Sequence, residues 1–409
     1  MNRPRPRPVT RPAARVAGPH RPRPSGHHHL HRIAHLAQLH LPAGLLRQLD
    51  RAGPLERPLA AVGLAGLLAA SVLLAVRWRG PGRHARRPGW LRRAGLAVWF
   101  SGLASATVLA GVNAYVGYVP SLPALLGRPA GSGDSGSQVV RLTIGAPDLD
   151  IPPRPAYVYL PPGYDDPANA TRRYPVVYLL HGYPGGPLDW FRAGQAQQVM
   201  DAMLRDRLVQ PMLIVAPDAN GGWLHDSEML NQVGGPQVET YLTRTVVRVV
   251  DGRYRTVADR AGRAVGGMSS GGYGALNLGL RHQDRFSVIL GVMPYGDPGQ
   301  AALGLLGGSR ALWAANSPRL YIPTMAFHHP MAVDLLVGSR DPARVEAGRL
   351  AAMLEARGQD AVDTVTPGAN HTWRAAHAEL PFALAFASQH LRVPRAAGPL
   401  AAATRAGRP

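Results

Sequence analysis

Residues 264–278 read Ala-Val-Gly-Gly-Met-Ser-Ser-Gly-Gly-Tyr-Gly-Ala-Leu-Asn-Leu. A short apolar strand runs into Gly267-Met268-Ser269-Ser270-Gly271, and a small-residue helix leaves it. G-x-S-x-G between a strand and a helix is the sharp turn that lifts a serine hydroxyl above the end of a sheet. A side chain at Gly267 or Gly271 would crowd that turn. Ser269 is therefore the expected nucleophile. Ser270, its rival, occupies the variable position of the motif.

Working outward, short β-type runs alternate with helical stretches. Strands are expected at Val139–Ile144, Ala156–Leu160, Val176–Leu180, Met212–Ala216, Ala264–Gly267, Ser287–Gly291, Ala332–Val337 and Asp360–Thr366. Helices are expected at Ala193–Asp206, Val238–Val250 and Pro342–Arg357. Short links join the first strands and helices separate the later ones. This predicts an α/β fold whose mixed sheet is antiparallel at its start and then parallel, with helices on both faces.

A serine needs a base, and the base an orienting carboxylate, placed on loops after later strands in the order serine, acid, histidine. Val333–Gly338 reads as a strand and ends at Ser339-Arg340-Asp341-Pro342, so Asp341 falls at a strand's carboxyl end. Asp341 also fits as an N-cap of the next helix. Asp334, in mid-strand, is a poorer reach. His371 lies in the loop Pro367–Trp373 directly after the last strand; His328, His329, His377 and His390 do not. The buried run Val176–Leu180 leads into His181-Gly182-Tyr183-Pro184-Gly185-Gly186. Backbone N–H groups of Tyr183 and Ser270 are expected to form an oxyanion hole, with His181 holding the loop. This chemistry calls for no metal and no cofactor.

Four stretches together resemble the esterase D family of α/β-hydrolases: Leu179-Leu180-His181-Gly182, Asp251-x-Arg253-Tyr254-Arg255, Gly267–Ala275 and His371-Thr372-Trp373. That family includes S-formylglutathione hydrolases, feruloyl and siderophore esterases and the antigen 85 mycolyltransferases. The resemblance covers about residues 138–392. It implies an α/β-hydrolase fold and a serine esterase, with Ser269 as nucleophile, Asp341 as acid, His371 as base, and Tyr183 and Ser270 as backbone donors. Many members carry Met where this chain has Ser270, a position used only through its backbone. The mycolyltransferases have Asp-Gly where this chain has His181-Gly182, which leans away from them. Acyl transfer to a sugar or lipid alcohol is the alternative outcome of the same acyl-enzyme. A non-catalytic tethered binding module is a third reading, disfavoured by a complete triad in order.

The rest of the 409 residues precedes this unit. The net charge is +20, every basic residue is arginine, and there is no cysteine, which excludes disulfides and thiolate chemistry. Residues 1–94 hold 18 arginines against two acids, while the remainder holds 27 against 23. The charge thus belongs to the front end. Residues 1–57 read as a disordered Arg/Pro/His-rich tail. Its seven histidines between His20 and His40 read as a solvated tract rather than a metal site, and no specific nucleic-acid partner is expected.

Two uncharged apolar runs follow, giving expected transmembrane helices at 58–77 and 95–119, joined by an arginine-rich loop at 78–94. The positive-inside rule keeps that loop cytoplasmic, so the enzyme is expected at the cell membrane with its catalytic domain outside. The membrane-anchored esterases of this family from high-G+C bacteria are similar. A cleaved signal peptide ending at Val112-Asn113-Ala114 is the minority reading of the second run. A flexible linker (120–138), a catalytic domain (139–393) and a flexible tail (394–409) complete the expected organisation. The expected partners are an ester or acyl-donor substrate and the lipid bilayer.

Overall fold

The computed structural model describes residues 41–49, 53–77, 89–126, 136–393 and 395–396. Most of the expected tail, the histidine tract, residues 78–88 of the arginine-rich loop, residues 127–135 of the linker and most of the C-terminal tail lie outside the described residues.

An eight-stranded sheet forms the centre. Its strands are β1 Gln138–Ala146, β2 Ile151–Leu160, β3 Val176–Leu180, β4 Leu213–Pro217, β5 Arg263–Met268, β6 Val288–Val292, β7 Ala332–Gly338 and β8 Asp360–Thr366. Their order across the sheet is β1-β2-β4-β3-β5-β6-β7-β8. β1 pairs antiparallel with β2, and β2 antiparallel with β4; every later pairing is parallel. The strands from β3 to β7 are buried along their whole length, as an apolar run between two helical layers must be. β1 instead alternates buried and exposed residues toward its end, as an edge strand does.

Among the described residues, four α-helices precede the sheet: α1 Ala43–Leu49, α2 Pro58–Arg77, α3 Gly89–Val116 and α4 Leu122–Leu125. Within and after it come α5 Asp189–Arg192, α6 Ala196–Arg205, α7 Ser270–Arg281, α8 Ala302–Leu305, α9 Arg310–Ala315, α10 Pro318–Tyr321, α11 Arg344–Ala356 and α12 Trp373–His390. The stretch 238–253 is helical too, with a π-helical portion at Tyr241–Val246.

α2 and α3 are long and apolar enough to cross a membrane, and none of their most apolar stretch is buried in the protein. Leu59, Leu74, Val98 and Leu109 are all exposed. Buried core helices would have hidden these side chains. The first apolar helix runs over the residues 58–77 expected to be helical. The second leaves the helix at Val116 because Gly117 adopts φ +69°.

Two segments depart from expectation. Residues 41–49, read as part of the disordered tail, contain α1, whose Leu45 is buried. Residues 120–126, read as flexible linker, carry α4, with Ser121 capping it and the Arg192 guanidinium donating to the Ala124 carbonyl. Both segments are short apolar patches inside Pro- and Gly-rich surroundings, so composition averaged over a window hides them.

Candidate active site

The turn after β5 places Ser269 at φ 59°, ψ −117°, a conformation that only the surrounding structure can hold on a residue with a side chain. The glycines around it leave no room. A Cβ on Gly267 would lie 2.2 Å from the Gly271 carbonyl oxygen, and one on Gly271 would lie 2.3 Å from that of Leu180. The backbones of β3, β5 and α7 therefore meet at van der Waals limits under the serine.

Ser269 Oγ lies 2.9 Å from His371 Nε2, and His371 Nδ1 lies 2.9 Å from Asp341 Oδ2. An ionised Asp341 only accepts, so Nδ1 carries the proton and Nε2 is left to accept from the serine hydroxyl. The three residues stand on loops after β5, β7 and β8, brought together by parallel strands whose carboxyl ends share one edge. Asp341 is buried while His371 remains part-exposed. Its other oxygen, Oδ1, accepts the Ala343 N–H at 2.7 Å in the turn just before α11. The N-cap of α11 is Ala343, without a side-chain cap, so Asp341 is not the N-cap that its position before the helix suggested.

The other candidates make contacts outside this chain of three residues. Asp334 is fully buried and accepts from Thr364 Oγ1 at 2.8 Å. The backbone N–H groups of His328 and His329 donate to Gln283. The His377 ring faces the Gly194 and Leu49 carbonyls, and the His390 ring faces Phe386 O and Asp360.

Ser270 is buried and is the first residue of α7, so its N–H has no acceptor within the helix. The loop after β3 passes close by, since a Cβ on Gly182 would lie 3.5 Å from Ser269 Cβ. Tyr183 is the next residue and is exposed. His181 is buried, with Nδ1 2.9 Å from the Gly182 carbonyl and Nε2 accepting the Ala219 N–H at 3.2 Å. It ties the β3 loop to the β4 loop and does not approach the serine.

Sequence reading missed the supports of this loop. Asp189 Oδ2 accepts the Gly186 N–H at 2.7 Å, and Gly185 N–H donates to the Trp223 carbonyl at 3.0 Å. Burial raises the Asp189 carboxyl above its ordinary pKa, although the Gly186 and Tyr118 hydrogen bonds oppose the shift. Burial also opposes ionisation of Asp218, but the neighbouring His181 ring and the Gly221 and Asn220 N–H groups outweigh burial and lower its pKa. Nearby, the Tyr295 hydroxyl lies 2.8 and 2.7 Å from the two Glu228 carboxyl oxygens. Burial, and then the charge of Asp226, push Glu228 up to about 8. The Tyr295 ring stacks on Tyr273, in the first turn of α7, at 5.2 Å. A lone aspartate before a tryptophan carries no motif, so only the fold reveals these partnerships.

A family model described as "Putative esterase" matches residues 152–393, more than half of the chain. The chain belongs to this family of esterases. It has the α/β-hydrolase fold. Among relatives, an uncharacterised protein of Corynebacterium glutamicum is 28% identical over 170 residues, covering 40% of this chain and 39% of that protein. The esterase Rv1288 of Mycobacterium tuberculosis is 33% identical over 124 residues, covering 30% of this chain and 26% of that one. The chain thus spans less than half the length of either relative. Among solved structures, a ferulic acid esterase superposes with TM-score 0.56 at 24% identity, covering 63% of this chain and all of that one. An S-formylglutathione hydrolase of Agrobacterium tumefaciens gives TM-score 0.52 at 18% identity, covering 64% and 99%. At these identities the likeness establishes the shared fold.

Proposed function

We propose that this esterase works through a Ser269–His371–Asp341 triad and an acyl-enzyme, anchored in the cell membrane by α2 and α3 with its catalytic domain outside the cytoplasm. His371 Nε2 takes the Ser269 proton as Oγ attacks the ester carbonyl carbon. Asp341 holds the imidazole in the required tautomer and stabilises the imidazolium that forms. The Tyr183 and Ser270 N–H groups receive the developing oxyanion. His371 then gives its proton to the departing alkoxide, leaving an acyl group on Ser269. Water, deprotonated by the same imidazole, releases the carboxylic acid and restores the serine.

The observation that carries this reading is the unbroken hydrogen-bond chain from a strained serine through His371 to a buried carboxylate. The exposed apolar surfaces of α2 and α3, with the arginines between them, support the anchor and its orientation. Asn113 and Ala114, where a signal peptide would be cut, are bonded into the folded unit, which favours an uncleaved anchor. Ser269→Ala is expected to lower kcat for short p-nitrophenyl esters by about 10⁶-fold, as loss of a triad nucleophile does. Unchanged turnover would remove the mechanism.

A further inference from the structure

The exit end of α3 is knitted to both loops assigned to catalysis. Asn113 organises the turn, accepting the Val119 N–H at 2.7 Å and donating to the Leu55 and Val119 carbonyls at 2.9 Å. From that turn the Tyr118 hydroxyl donates to Asp189 Oδ1 at 2.7 Å and accepts from Trp223 Nε1 at 3.3 Å. Asp189 and Trp223 are the two residues that brace the Tyr183 loop. On the other flank Arg374, three residues beyond His371, donates to Ala114 O at 2.9 Å and Glu56 O at 3.2 Å. The Trp373 ring packs against Trp190 and Tyr118, with centroids 5.3 and 6.5 Å away. The catalytic mouth is thus not on a free tether; its two sides hold the end of the same helix.

Large apolar side chains stand exposed around that junction. Leu122, Leu125 and Leu126 follow the turn on α4 and its cap, at 60%, 56% and 69% exposure. Trp223 and Leu224 adjoin Tyr118 at 55% and 70%. Tyr183 is exposed on the loop that Trp223 braces through Gly185. A cavity of about 620 Å³ separates Ala114 and Tyr115 of α3 from the back of the His371 loop, with Pro367 and Phe382 among its walls. Scattered apolar residues on a surface need no explanation, but a cluster from three segments around the end of an apolar helix does. Aromatic and leucine side chains in that place match the headgroup boundary of a bilayer.

We infer that this collar is seated in the headgroup layer of the bilayer that α2 and α3 span, and that it holds the catalytic mouth at the membrane surface. The ester consumed there is an amphiphile resident in that bilayer. The inference rests on reading α2 and α3 as spans and Ser269 as nucleophile.

The chain has no cysteine, so one introduced thiol can be labelled alone. The full chain in phosphatidylglycerol/phosphatidylethanolamine vesicles, carrying a polarity-sensitive fluorophore at Leu224→Cys, is expected to emit blue-shifted light quenched by lipids spin-labelled near the headgroup. The same label at Ala356→Cys, exposed at the far end of α11, is expected to report water. The triple variant Leu122→Ser/Leu125→Ser/Leu224→Ser is expected to turn over p-nitrophenyl acetate within about twofold of the parent, and a vesicle-borne long-chain p-nitrophenyl ester at least about tenfold more slowly. An aqueous spectrum at Leu224→Cys in a chain that stays with the vesicles overturns the inference, as do equal losses on both esters. A chain that washes off the vesicles overturns the anchor as well, whereas full activity in Ser269→Ala overturns the triad.

Discussion

Asp341 shows how one side chain satisfies two demands. Its Oδ2 faces His371 and its Oδ1 accepts the Ala343 N–H in the turn before α11. The two contacts separate experimentally. Asp341→Asn keeps an oxygen for the turn but offers the imidazole the wrong partner, so kcat is expected to fall by about 10⁴-fold while the melting temperature barely moves. Asp341→Ala loses the turn hydrogen bond too, adding about 1 kcal/mol of destabilisation in thermal or denaturant unfolding. Equal stability of the two variants would remove the structural role of the turn. Gly271→Ala forces a Cβ against the Leu180 and His181 carbonyls. At least about 1–3 kcal/mol of stability should go with it, as overpacking against rigid backbone costs.

Buried carboxyls set a pH dependence at the same scale. Burial pushes Glu228 and Glu379 up to about 8 from an ordinary 4.5, and Asp334 up to about 7 from 3.8. These groups bind a proton more tightly folded than unfolded. Their contribution is therefore complete below the unfolded values and is lost as pH rises through the folded ones. The melting temperature is expected to decline between about pH 4 and pH 8 through these three groups. Glu379→Gln should flatten that decline in a differential scanning measurement across the window; an unaltered slope would contradict the assignment.

At the scale of elements, the turn after α3 braces the loop that carries Tyr183. Tyr118→Phe removes the hydroxyl that joins Asp189 to Trp223. It is expected to lower kcat about three- to tenfold with little change in KM, the worth of about one hydrogen bond misdirected at a loop. A rise in KM with unchanged kcat would assign Tyr118 to substrate binding instead.

Elements with internal periodicity were readable from sequence. β3 and β8 have the expected limits, and the other strands differ by a few residues at most, except β2, which begins five residues earlier at Ile151. Its early part, Pro152-Pro153-Arg154-Pro155, contains three prolines, which argue against a strand anywhere but beside an edge partner; β1 supplies that partner. Ser269, Asp341 and His371 were legible because a turn motif and strand ends fix where such groups must stand. Asp189, Tyr118 and Trp223 were not, because their meaning depends on contacts across 71 and 105 residues of chain. In the stretch 297–330, Trp313 Nε1 donates to the Gly299 carbonyl and the Tyr321 hydroxyl to Asn277 Oδ1, so both hold that segment together and onto α7.

For the molecule as a whole, the sum of +20 divides into a basic front end and a nearly balanced enzyme. The hydrolase unit carries the chemistry on one edge of its sheet, and the two apolar helices meet that edge through a packed junction. The part of the chain outside the hydrolase unit thus touches both loops to which we assign the chemistry. The central claim remains the identity of the nucleophile. Peptide mapping by mass spectrometry after reaction of the full chain with a fluorophosphonate tests it most directly. The account predicts one adduct, on Ser269, absent from Ser269→Ala and strongly slowed in His371→Ala. An adduct on any other serine, or ester hydrolysis persisting undiminished in Ser269→Ala, would contradict it.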